Sequence, residues 1–357
     1  MKIAQVCHRY LPTIGGVQTH VKEISERLVT KGFDLDILTT DPSGKLPKEE
    51  ILDGVRVKRF KSFAPMGSFY FSGKLKRYLE RASDDYDIVH AHNFQAFPAT
   101  YAAEKKRNNK LIITPHYHGH GQTFFSNLFF SPYKFFNRGV FEKSCRVICV
   151  TDYEKGLVIE HFHVKKEKIV VIPNGIDKDE FKGLKREEKR VKTILYVGRL
   201  EKYKGVHYLI RALEKLDDVF VLEIVGRGSF KNELIRLSER LGLKERVLFL
   251  HDLSRKELLQ SYVNADLFAL LSKYEASGIT VLEALSSRTP CVVANTSALQ
   301  ELVDGKNCFG IDYPINVVRL ADLIAATVGK RISVLNFMSW DDVVKKLIEN
   351  YEEVSCD

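Results

Sequence analysis

Residues 193–205 read Thr-Ile-Leu-Tyr-Val-Gly-Arg-Leu-Glu-Lys-Tyr-Lys-Gly. The apolar run predicts a buried strand over 193–198, and the glycine-flanked segment behind it predicts a turn into a helix. Arg199 and Lys204 are two of the cations in that turn. The start of a helix is the positive end of its dipole and disfavours cations. Placing both there implies an anion between them. Arg supplies paired donors and Lys a point charge, a combination that brackets a diphosphate.

The same strand–turn–helix unit recurs on both sides of this stretch. Strands are predicted at 2–7, 35–40, 55–60, 88–92, 111–115, 147–151 and 169–173, and then at 193–198, 220–225, 247–250, 266–271 and 290–294. Helix-period segments separate them; Val17, Val21, Ile24 and Leu28 form one apolar stripe. Alternation of this kind specifies an α/β fold of doubly wound parallel sheets. The polar, charged stretch 178–192 reads as an interdomain linker. It places an N-terminal domain at 1–180 and a C-terminal domain at 181–337. Residues 338–357 then form a final helix that could cross back to the first domain, with Val343, Val344, Leu347, Ile348 and Tyr351 inward.

The chain has 357 residues, of which 45% are hydrophobic and 28% charged, values that exclude a disordered or fibrous chain. No apolar run is long enough to span a membrane, and Met1-Lys2 leads straight into a strand, leaving no room for a signal peptide. The six cysteines form no CxxC pair, which favours reduced thiols and a cytoplasmic location. Net charge is +9, suiting an anionic partner, but no contiguous basic stripe or nucleic-acid-binding signature accompanies it. Nucleic acid is therefore not an expected partner.

Ligands of doubly wound sheets bind beyond the carboxyl ends of the strands. There the sequence places Gly15 and Gly16 after the first strand, His90, His92 and Asn93 after the fourth, and His116, His118 and His120 after the next. In the second half Gly198, Arg199 and Lys204 follow one strand, Gly226-Arg227-Gly228 another, and Ser272 to Gly278 a third. The expected active site is the cleft between the halves. Paired glycines before a helix let a backbone approach an anion closely. GxGxxG is absent at Gly15-Gly16, and Lys231 replaces the third glycine after Gly228, so a dehydrogenase is poorly supported. Glu275 and Glu283 bracket the start of a helix near Gly278, where they suit sugar and ribose hydroxyls while free amides hold phosphate. A metal site on His116, His118 and His120 is set aside. Gly119 and Gly121 break the strand that would align them, and no carboxylate joins them. Residues 124–141, with seven Phe, one Tyr and two cations, suit either a membrane-interface segment or a core-packed helix.

Together these residues resemble the retaining glycosyltransferases of family 4, with the GT-B fold of two facing Rossmann-like domains. The resemblance covers nearly the full length. It rests on Pro12-x-x-Gly-Gly-Val-x-x-His20, Asp87-Ile-Val-His-Ala-His92, Thr114-Pro-His116, Val171-Ile-Pro-Asn-Gly-Ile-Asp177, Val197-Gly-Arg-Leu-x-x-x-Lys-Gly205 and Glu275-x7-Glu283. It implies transfer of a hexose-type sugar from a nucleotide-diphosphate donor, a UDP- or GDP-sugar, with no metal and no cofactor. His116, Arg199, Lys204 and Glu275 would be catalytic. The donor would be bound by Gly15, Gly16, Gly198, Gly226, Ser277, Gly278, Ile279, Thr280 and Glu283. His20, His92, Asn93 and His118 would lie on the acceptor side. The acceptor is left open among a lipid-linked molecule, a glycan and a small molecule. A lipid-linked one would bring the protein to the inner membrane face. A sugar-nucleotide epimerase on the same fold and a non-catalytic nucleotide-sugar-binding module are the alternative readings.

Overall fold

Most strands that the sequence marks as apolar runs are buried on both faces, as parallel strands covered by helices are, whereas 55–61 alternates between covered and exposed positions. In the computed structural model, which describes residues 1–104, 110–120, 132–330, 332–333 and 335–356, the chain forms two units. Met1–Gly175 and Trp340–Asp357 make the first, and Ile176–Ser339 the second.

The first unit holds β1 (Lys2–Val6), β2 (Asp34–Asp41), β3 (Glu49–Leu52), β4 (Val55–Lys61), β5 (Ile88–His92), β6 (Lys110–Thr114), β7 (Arg146–Cys149) and β8 (Ile169–Val171). Their order is β3-β4-β2-β1-β5-β6-β7-β8. All neighbours are parallel except β3 with β4. Its core includes Val6, Val89, Ile113 and Val147 from four strands, beneath Leu79, Phe94 and Phe141.

The second unit holds β9 (Lys192–Val197), β10 (Phe220–Val225), β11 (Val247–Leu250), β12 (Leu267–Leu270), β13 (Cys291–Ala294) and β14 (Cys308–Ile311). The order is β11-β10-β9-β12-β13-β14, parallel throughout. Successive connections run outward from β9 to one side and from β12 to the other. The strand order therefore reverses between β9 and β12, and likewise between β1 and β5 in the first sheet. Those are the two positions where a doubly wound sheet opens a ligand crevice.

Two sequence expectations change. The stretch 178–192 is not a free linker but a part of the second unit. Lys178–Phe181 forms a 3-10 turn capped by the Asp177 side chain. Beyond it Arg186 pairs with Asp266 at 2.5 Å, and Lys189 with Glu223 at 3.2 Å. Its charges have partners on β10 and beside β12, so they tie the segment down. The division between units accordingly falls after Gly175 rather than at 180. β3 and β14 were also not anticipated. The last helix, Trp340–Cys356, packs on the first helix, Gly16–Thr30, with Val343, Val344, Leu347 and Tyr351 fully buried and Ile348 half-buried.

In Gly16–Thr30 the buried residues are Gln18, His20, Val21, Ile24, Ser25 and Leu28, while Val17 is only half-buried. A histidine thus takes a place on the apolar stripe. No helix among the described residues is long and apolar enough to cross a membrane. Cys7, Cys145, Cys149, Cys291 and Cys308 are unpaired thiols.

Candidate active site

At the crevice of the second sheet, β9 ends at Val197 and the chain makes a turn through Gly198 and Arg199. A 3-10 turn, Lys202–Lys204, and the left-handed Gly205 then lead into helix Val206–Leu213. A Cβ at Gly205 would overlap the Leu271 carbonyl behind β12, and one at Gly226 would overlap the Gly198 carbonyl. These loops meet backbone to backbone, and only glycine permits that approach. The Tyr196 hydroxyl donates to the Arg199 carbonyl at 2.7 Å, and Lys273 N–H donates to the Tyr203 carbonyl at 2.8 Å. The loops after β9 and β12 are therefore one braced edge.

On that edge Lys204 Nζ donates to Glu275 Oε1 at 2.5 Å, with side chains only 11% and 17% exposed. Burial pulls the Lys204 ammonium down, but the Glu275 carboxylate and Tyr203 more than offset it, so its pKa lies above the ordinary lysine value. Lys204 is thus a held cation at neutral pH. Arg199 is exposed; its guanidinium donates to the Tyr203 hydroxyl at 2.5 Å. Glu275 N–H donates to Ser297 Oγ at 3.0 Å, which anchors the Glu275 backbone to the loop after β13.

Helix Ile279–Ser286 begins behind Gly278, with Ser277, Gly278, Ile279 and Thr280 half-buried around its start. Its first amides have no acceptor inside the helix, as at any helix N-terminus. Glu283 lies in its second turn, 6% exposed. Arg255 donates to its Oε1 at 2.5 Å and Tyr262 to its Oε2 at 2.8 Å. Arg255 also holds Glu180. The sequence reading missed Tyr203, Arg255 and Tyr262. The capping box Ser254-x-x-Glu257, which starts the helix bearing Arg255 and Tyr262, was the available signal.

In the first unit Gly15 precedes helix Gly16–Thr30, and a Cβ at Gly16 would meet nothing within 4 Å. Packing does not demand that glycine; it leaves open space for a ligand at the helix start. Asn93, left-handed at φ 66°, hydrogen-bonds His8 at 3.0 Å. His116 and His118 are each 8% exposed. His20 and His92 are interior instead, at 1% and 0%, and neither offers a surface to an acceptor. The alternating trio 116, 118 and 120 does not converge. Among the described residues the group whose nitrogens do converge is His20, His92 and His116.

The profile named Glycosyltransferase Family 4 matches residues 14–180, and the profile named Glycosyl transferases group 1 matches residues 176–338. An uncharacterised glycosyltransferase of Methanocaldococcus jannaschii is 30% identical, covering 99% of this chain and 98% of its own. The chain belongs to the group 1 glycosyltransferases. Solved structures agree on the GT-B fold. The sucrose-phosphate synthase of Thermosynechococcus elongatus aligns with a TM-score of 0.82 at 18% identity, covering 99% of this chain and 98% of that one. The Anabaena protein HepE, in complex with UDP-glucose, aligns at 0.76 and 19% identity, covering 99% and 100%. A glycosyltransferase with this edge has its fixed cations and its carboxylates at the point where the strand order of the second sheet reverses.

Proposed function

We propose that this glycosyltransferase moves a hexose-type sugar from a UDP- or GDP-sugar to a hydroxyl acceptor with retention of anomeric configuration. The observation that carries this reading is the buried Lys204–Glu275 pair beside Arg199 and the amides of Ile279 and Thr280. In the reaction the bond from the sugar C1 to the diphosphate oxygen breaks, and its electron pair leaves with the diphosphate. The sugar becomes oxocarbenium-like. Arg199 and Lys204 neutralise the charge that grows on the leaving group, the task a metal performs elsewhere. Gly16 admits the diphosphate close to its backbone. Glu275 and the Gly278–Thr280 amides hold sugar hydroxyls, His116 holds the C6 end of the sugar, and Glu283 takes the ribose. The acceptor oxygen bonds C1 on the face the diphosphate leaves, and its proton passes to the departing phosphate.

The test is nucleoside diphosphate release from UDP-, GDP- and ADP-sugars, with Glu275→Ala as control. Release from one donor that is lost in the variant supports transfer. Tight UDP or GDP binding without release, even when acceptors are supplied, would favour a binding module instead.

The acceptor we propose is lipid-linked, which places the enzyme at the cytoplasmic face of a membrane. Phe135 and Phe136 are 63% and 79% exposed, with the Arg138 guanidinium over the Phe135 ring. Beside them Phe69, Phe71, Phe97 and Tyr133 line a cavity of about 500 Å³. Apolar rings edged by cations suit the headgroup zone. Residues 124–131 of the same stretch lie outside the described residues. Cosedimentation with anionic vesicles is expected to fall in Phe135→Ser/Phe136→Ser, and equal cosedimentation would refute the membrane assignment.

A further inference from the structure

His20, His92 and His116 come from three separate places on the first unit: the first helix, the end of β5 and the loop behind β6. Each presents a nitrogen, and the three nitrogens lie within 4.8 Å of one another. Hydrogen bonding settles which nitrogens of His20 and His92 are free. Asn174 Oδ1 accepts from His20 Nδ1 at 2.7 Å, so the proton of His20 sits on Nδ1 and Nε2 is a bare lone pair.

For His92 the direction follows from a chain of four bonds. His92 Nε2 donates to Gln5 Oε1 at 2.6 Å, and Gln5 Nε2 donates to the Tyr351 hydroxyl at 3.3 Å. That hydroxyl donates to His90 Nδ1 at 2.7 Å, and His90 Nε2 donates to Thr114 Oγ1 at 2.8 Å. Both nitrogens of His90 are thereby used. Nδ1 of His92 is left as a lone pair. His20 Nε2, His92 Nδ1 and His116 Nε2 are all buried with no hydrogen-bond partner. The two lone pairs of His20 and His92 converge with no donor of their own, and His116 Nε2 makes a third when its ring proton sits on Nδ1; such a set repels itself and wants a cation.

We infer that His20 Nε2, His92 Nδ1 and His116 Nε2 form a binding site for one divalent transition-metal ion, with Zn2+ the best match to three neutral imidazoles. Histidine ligands of zinc typically donate their other ring N–H to an oxygen that fixes tautomer and ring orientation, the part Asn174 and Gln5 play here. Zn–N bonds of about 2.0–2.1 Å put tetrahedral ligand nitrogens roughly 3.4 Å apart, so imidazole rotations of about an ångström close the set. Burial also keeps the three imidazoles neutral. Three dative bonds therefore form without displacing a proton, and the fourth position is open to water.

The ion would pin the helix that follows Gly15-Gly16 to the ends of β5 and β6. It would also hold His116 as the tautomer protonated on Nδ1, the donor form that a sugar hydroxyl needs. This second consequence rests on the sugar-binding role proposed for His116. The site itself does not.

The test uses tag-free protein stripped with a chelator and titrated with Co2+, then Zn2+. Wild type is expected to develop visible ligand-field absorption with about one Co2+ per chain, displaced by Zn2+. His20→Ala and His92→Ala should abolish it, and exposed His120→Ala should leave it intact. Asn174→Ala keeps all three ligands and should weaken binding by about 10–100-fold. Absence of the Co2+ spectrum in the wild type, or its survival in His20→Ala/His92→Ala, would overturn the assignment. The wild-type spectrum decides the matter even where a histidine variant does not fold. No sugar donor is present, so a failure here leaves the transfer reaction standing, and a failure of transfer leaves the metal site standing.

Discussion

Replacing Lys204 by methionine removes its charge and keeps most of its stem, so the substitution separates electrostatics from packing. In the native chain the ammonium sits 2.5 Å from Glu275, and both side chains are more than four-fifths covered. Breaking a buried pair by removing one partner costs about 3–5 kcal/mol, because the other charge stays in low dielectric. Here 11–17% exposure lets water reach the carboxylate, which lowers the expectation to about 2–3 kcal/mol. The chemical effect is separate and larger in rate. Loss of one fixed group facing a developing anion costs about 10²–10³ in kcat.

Urea unfolding reads the first quantity and nucleoside diphosphate release the second. Lys204→Met/Glu275→Gln distinguishes them further, since removing the stranded carboxylate should restore about 1–2 kcal/mol of stability while transfer stays low. A folded Lys204→Met enzyme with turnover within about twofold of wild type would refute the role of this cation, and so would a double variant that regains turnover. The pH dependence has a definite sign. Because the folded pKa of Lys204 is raised, its contribution is complete below the ordinary value of 10.5 and is lost as pH rises through the folded value. Stability changes between pH 6 and 9 should not involve it.

Gly226→Ala drives a methyl against the Gly198 carbonyl and should cost about 1–3 kcal/mol in urea unfolding while also lowering donor binding. Arg255→Ala leaves the Glu283 carboxylate, 6% exposed, with the Tyr262 hydroxyl but without its guanidinium. The expected loss is about 3 kcal/mol, and Arg255→Ala/Glu283→Gln should be more stable than Arg255→Ala. Burial holds His20 neutral and lowers its pKa to about 4, against the Asn174 hydrogen bond. A depressed folded pKa contributes stability above the unfolded value, and that stability drains as pH falls from about 6.5 to 4. The histidine accounts for about 3 kcal/mol, and denaturation of His20→Gln at pH 7 and 4.5 should show a correspondingly flatter dependence.

The strands were legible because parallel strands buried on both faces leave continuous apolar runs. Twelve stand out, most of them in that way and Val55–Lys61 by alternation of apolar and charged residues. The two that do not are marginal for physical reasons. β3 is a partly exposed edge strand, Glu-Glu-Ile-Leu, formed by a hairpin with β4 rather than by its own hydrophobicity. Its signal was the turn, Asp53-Gly54, both at positive φ, a two-residue hairpin pair that apolar runs do not reveal. β14 is four residues long and contains Gly310. The charged stretch 178–192 misled because polarity marks solvent-facing chain equally well when it is docked and when it is free.

Arg199, Lys204, Glu275 and Glu283 were visible one by one from local context, since each sits at a strand end or a helix start. Their sequence neighbourhood determined that much: apolar periodicity specifies the elements, and glycines and charges mark the turns between them. Which charges meet was decided by the tertiary structure. Lys204 and Glu275 are 71 positions apart and touch only because β9 and β12 pair across the strand reversal. The three histidines come from positions 20, 92 and 116, and the bonds that orient the first two come from Asn174 and Gln5. No local pattern carries that information. Proximity in a parallel sheet is set by strand order, which arises from long-range burial and not from the spacing of residues along the chain.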